Sequence, residues 1–157
     1  MVAQQKDRER LGILDRWLDL IFSILGMLLV LGFFMAHQLS NTGFFTAEFG
    51  PTEMLALYGP MALAVVPAVI RSSLGLRNPG RPMEVIANAA LAAGSLWLFF
   101  VFPFDFSHLP DVLPAGVQFL FGWITDGLAR IVLILQVVIG TLTAVGKMWK
   151  FVAVQGR

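Results

Sequence analysis

Residues Leu20–Ala36 read LIFSILGMLLVLGFFMA, a run with no charge and one hydroxyl, Ser23. At 1.5 Å per residue, a helix of about 20 such residues crosses the roughly 30 Å hydrocarbon core of a bilayer. A helix on the surface of a soluble protein would show a polar face at a period of about 3.6 residues, and this run has none. Extended to Trp17–Ala36, it is read as a first membrane span.

Three further stretches meet the same requirement: about Met54–Leu74, Val85–Phe104 and Leu128–Gly146. The last is preceded by apolar sequence from Val117 onward. Taken whole, Val117–Gly146 would be about 45 Å of helix, too long for one upright span. Residues Val117–Gly127 are therefore read as an approach segment, with an interfacial helix as one option. The predicted fold is an all-α bundle of four transmembrane helices forming one domain over residues 1–157. An open sheet is excluded within lipid, where every backbone polar group needs a partner.

Composition supports that class. Apolar residues make up 57% of the chain and charged residues 13%, against about 25% charged in soluble domains, and the mean hydropathy is +0.78. Cysteine is absent and the formal net charge is +1. A disulfide scaffold, a disordered chain and a nucleic-acid binder are excluded on those grounds.

The small net charge conceals a strong polarity. Lys6, Arg8, Arg10, Arg16, Arg71, Arg77, Arg81, Lys147, Lys150 and Arg157 fall on one side of a four-span topology, with Asp7, Glu9, Asp15, Asp19 and Glu84. The other side holds Glu48, Glu53, Asp105, Asp111 and Asp126 with Arg130 as its sole base. Since basic connections stay in the cytoplasm, both termini are expected there, in the plasma or inner membrane. The first span is too long for a signal peptide, and its end, Phe34-Met35-Ala36-His37, lacks the small residue three positions before a cleavage point, so it is read as an anchored helix. Leu11, Leu14, Leu18 and Ile21 make an amphipathic stripe before it. Phe99, Phe100, Phe102, Phe104 and Phe106 are expected as one aromatic belt, with Trp17 and Trp149 marking the other boundary. Asn78-Pro79-Gly80-Arg81-Pro82 is a turn, and Thr52 is the expected N-cap of the second helix.

Small residues supply packing faces, because close approach matters more than hydrophobic force between helices in lipid. Ala87, Ala90 and Gly94 form one face, Ala89 and Ala93 a second, and Gly140 with Ala144 a third, for use within the bundle or against a partner. Pro67 leaves the Leu63 carbonyl without its usual donor and is expected to kink the second span, with a transporter-like binding site at the break as the alternative.

Few residues could carry chemistry. Gln136 lies about 16 Å along its helix from Lys147 and Ser95 about 15 Å from Val85, so the two share a depth near the midplane. A buried amide needs a partner, and an interhelical hydrogen bond between them is expected, with solute binding as the alternative. Asp126 and Arg130, four residues apart at a span boundary, are expected to pair across one helix turn, with a substrate or proton role as the alternative. His37 and His108 are read as solvated loop histidines, or as ligands for haem or a metal. No cysteine nucleophile, Gly-x-Ser-x-Gly elbow, phosphate loop or His-Glu-x-x-His pattern is present. No cofactor and no metal site is expected.

The layout, about 150 residues in four spans with both ends on the basic side, is similar to that of the small subunits of tripartite solute transporters. It shares no motif that would carry residue roles across. The functional expectation is a non-catalytic accessory or scaffold subunit, partnered by the bilayer and by other membrane subunits or copies of itself. The alternatives are a small oligomeric solute transporter and a haem- or quinone-binding redox anchor.

Overall fold

The structure is a computed structural model that describes residues 10–155; Lys6, Asp7, Arg8, Glu9 and Arg157 of the charge pattern lie outside it. The described residues form four long helices and no strand: α1 Ile13–Ser40, α2 Pro51–Leu74, α3 Arg81–Val101 and α4 Asp126–Gln155. All four are long and apolar enough to cross a membrane.

Each helix boundary has a local cause. Helix α1 stops at Asn41, which takes the left-handed conformation (φ 46°) that asparagine tolerates. Helix α2 starts one turn earlier than its apolar run, with Gly50 as N-cap in place of the expected Thr52. Pro51 suits the first helical position, where no N–H is needed, and the Glu53 carboxylate accepts the Gly50 N–H at 3.0 Å. The helix runs unbroken through Pro60 and Pro67 to a left-handed Gly75. Helix α3 ends at Val101, short of the expected Phe104. Pro103 disfavours helical backbone at Phe102, which turns left-handed (φ 44°) while its N–H reaches the Leu98 carbonyl at 2.9 Å. Residues 117–125 hold only turns and the 3-10 segment Gln118–Leu120 before α4 begins at Asp126.

The helices pack in serial order, α1 on α2, α2 on α3 and α3 on α4, while α1 does not pack along α4. Small residues make the inner contacts close. A Cβ on Gly94 would stand 2.4 Å from the Ala56 carbonyl oxygen, and one on Gly140 would stand 2.9 Å from that of Asn88. The Gly94 and Gly140 faces are thus spent inside the bundle.

The best-buried core lies at the end formed by residues 41–50 and 102–125, the loop end. Phe44, Leu98, Phe102, Phe104, Leu109 and Ala129 are buried there, with Phe33, Phe34, Phe45, Phe49 and Phe106 packed against them. The expected aromatic belt is accordingly divided. Phe100 is 74% exposed, but Phe102 and Phe104 are core. Backbone bonds from Thr46 to Pro103 (3.1 Å) and from Asp105 to Phe44 (2.8 Å) join the two loops, which explains why their phenylalanines turn inward.

Candidate functional site: a lateral cleft with an ion cluster at one end

Helix α1 is fastened at its two ends. At the end carrying Arg71 and Lys147, the basic end, the Arg16 guanidinium donates to the Ser72 carbonyl and the Ser72 hydroxyl donates to that of Arg16 (2.8 Å). Asp19 pairs with Arg71 at 2.8 Å. At the loop end, the Tyr58 hydroxyl donates to Gln38 Oε1 (3.0 Å) and the His37 ring bonds Leu109 O through Nε2 (3.1 Å). Between these fastenings the inner side of α1 faces a gap.

That gap is a cleft of about 580 Å³. Val30, Phe33 and Phe34 of α1 line one wall, and Leu128, Val132 and Leu133 of α4 line the other. Trp123 and Phe121 stand at the loop end. The wall is apolar except for Ser95 and Gln136, whose side chains meet as expected: Ser95 Oγ donates to Gln136 Oε1 at 2.9 Å. Ser95 is only 3% exposed, so the bond fixes α3 against α4 in low-dielectric surroundings.

A second cavity of about 400 Å³ shares Pro60, Met61 and Leu91 with the first and continues past Pro67, Asn88 and Thr143. It reaches Arg71, Glu84 and Lys147, which also line a third cavity of about 540 Å³ at the basic end. There Arg71 pairs with both Asp19 and Glu84, and Lys147 pairs with the other oxygen of Glu84. This chain of ion pairs ties all four helices together. Arg71 and Glu84 are 16% and 15% exposed, so neither charge could be left alone cheaply.

The remaining candidates are arranged differently from expectation. Asp126 and Arg130 each turn to another partner. Asp126 Oδ1 accepts the Phe106 N–H at 3.0 Å, while Arg130 donates to the Phe99 carbonyl (3.2 Å) and lies 3.8 Å from the Phe102 ring centroid. The pair fails to form because the loop end supplies an N–H and an aromatic face at shorter reach. His37 is not a solvated loop residue: it belongs to α1, is 1% exposed, and bonds Thr42 Oγ1 at 2.7 Å through Nδ1. His108 is half-exposed and bonds Asp111 at 2.8 Å. A haem or metal ligand at His37 would have to break one of its two ring bonds. Among the described residues no three His, Asp or Glu side chains converge as a metal cluster. Pro67 is buried and lines the second cavity.

The ion cluster escaped sequence reasoning. Asp19, Arg71, Glu84 and Lys147 each look like ordinary charges flanking a span; their placement near helix ends at one side of the topology was the available signal. The class defined by this fold is a four-helix membrane-type chain with a laterally open flank. No family model, curated protein or solved structure matches the chain.

Proposed function

We propose that the protein is a non-catalytic, multi-pass subunit of the cell membrane whose cleft between α1 and α4 takes up an apolar component of the bilayer for a larger assembly. The observation that supports this reading is the attachment of α1, fastened by polar bonds at both ends and parted from α4 between them. Such a flank is accessible sideways from lipid, and its walls match an apolar occupant. The positive-inside rule puts the basic end, with both termini, in the cytoplasm. The Gly94 and Gly140 faces are used internally, so a partner subunit would dock on the exposed faces of α1 and α4 or on the exposed Ala89 and Ala93 face of α3.

A second reading, a small oligomeric transport unit, is favoured by the shared lining residues that place the three cavities end to end. In that reading the Asp19, Arg71, Glu84 and Lys147 cluster closes the pathway. No redox role is proposed for His37 and His108, because the His37 ring nitrogens are already engaged.

Purification in mild detergent tests the choice. A stoichiometric larger partner is the expected result. A homo-oligomer that by itself drives solute uptake into vesicles, and loses it in Gln136→Leu, would overturn the subunit reading. Orientation is tested by single cysteines at Ser107 and Asn78 in this cysteine-free chain. An impermeant thiol reagent on intact cells should label the first and spare the second.

A further inference from the structure

Gln136 brings two amide hydrogens to the cleft. Its Oε1 is occupied by the Ser95 hydroxyl, but Nε2 has no acceptor among the described residues. The amide belongs to the lining of the cleft, whose other walls are aliphatic and aromatic. A donor left so in hydrocarbon is costly, and an acceptor brought by an occupant removes that cost. Water is a poor candidate, since a buried water needs two to four polar partners and only Gln136 and Ser95 line the cleft with polar side chains.

We propose that the cleft binds an uncharged, membrane-dissolved molecule with an apolar body and a carbonyl oxygen that accepts from Gln136 Nε2. This is the chemistry of an isoprenoid quinone or of a fatty acyl ester. The inference rests on the reading of the cleft as a binding site and names its occupant. A volume of about 580 Å³ suits such a molecule, as ligand pockets run from about 300 to 1,000 Å³ with few polar groups. Phe33, Phe121 and Trp123 offer aromatic faces, and the second cavity continues from Leu91, one turn from Ser95, with room for a chain. Depth favours the quinone. Gln136 is ten residues into α4, about 15 Å from either surface of a roughly 30 Å core, whereas phospholipid esters stay at the boundary.

The test uses the full chain in phosphatidylcholine nanodiscs, a short-chain ubiquinone analogue as probe, and quenching of Trp123 fluorescence as readout. Expected are saturable quenching in the wild type, loss of its saturable part in Trp123→Phe, and a Kd weakened about threefold to tenfold in Gln136→Leu, the worth of one hydrogen bond. Leu135→Ala, on the exposed face of α4 and outside the cleft lining, should bind within about twofold of wild type. If Gln136→Leu does not fold, Gln136→Met keeps the side-chain length. Methyl oleate that competes for the site would make the acyl ester the source; its failure to compete would leave the quinone. Quenching that never saturates, with no saturable methyl oleate binding, overturns the proposal, and so does equal weakening by Leu135→Ala and Gln136→Leu. Spin labels on Val30→Cys and Val132→Cys, one on each wall, report the cleft separately: a closed cleft defeats the underlying reading, whereas an open cleft without binding defeats only this inference.

Discussion

Gly94→Ala isolates the close contact between α2 and α3. The added Cβ would stand 2.4 Å from the Ala56 carbonyl oxygen and 3.3 Å from Pro60 Cγ. Real Cβ contacts essentially never fall below 3.0 Å, so the helices must part by at least about 0.6 Å at this point, and backbone rather than a flexible side chain has to move. Overpacking of this kind costs about 1–3 kcal/mol. Gly32→Ala is the matched control, because nothing lies within 4 Å of a Cβ there; it should be neutral or stabilising by up to about 1 kcal/mol through helix propensity. Thermal unfolding in detergent, followed by loss of the monodisperse peak on size exclusion, reads both variants. Gly94→Ala should melt several degrees below wild type and Gly32→Ala at or above it. Coincident melting of the two would refute the close packing of α2 on α3.

Three other outcomes follow from the same geometry. Glu84→Gln should cost about 3 kcal/mol, since it removes the poorly exposed carboxylate that joins Arg71 to Lys147, and Asp19→Asn should cost less because Asp19 is more exposed than Glu84; SDS-titrated unfolding ranks them. Ser95→Ala should cost only about 0.5–1.5 kcal/mol in the same titration, the ordinary worth of an interhelical hydrogen bond in a membrane. The Ser107 hydroxyl and backbone N–H hold the Asp105 carboxyl below its usual value. A depressed folded value contributes stability above the unfolded value of 3.8 and loses it as the pH falls through the folded one. Unfolding measured from pH 5 to pH 3 should therefore show an acid loss that is shallower in Ser107→Ala.

The spans were legible because a bilayer imposes length and apolarity, and Ser95 met Gln136 because a buried amide leaves few choices at a given depth. The cap at the loop end was not. Phe102 and Phe104 look like belt residues until Phe102, where Pro103 disfavours further helix, turns left-handed and the following chain crosses to Phe44. Pairing of Asp126 with Arg130 followed from helix spacing alone; it was overridden by the Phe106 N–H and the Phe102 ring, supplied by sequence about 20 residues or more away. The cleft itself depends on what α1 fails to touch, and a periodicity cannot report a missing contact. Its fastenings join residues such as Arg16 and Ser72, 56 positions apart.

The separation of α1 from α4 is the central claim, and paired spin labels measure it. Val30→Cys with Val132→Cys places one label on each wall of the cleft, and a reference pair on the exposed faces of α3 and α4, Leu96→Cys with Leu135→Cys, reports two packed helices. Packed helices lie about 8–10 Å apart. In nanodiscs the cleft pair should give a longer mean distance than the reference pair, shortening neither at low nor at high protein concentration. A cleft distance equal to or below that of the reference pair would mean that α1 closes against α4, and the account of an open flank would be wrong.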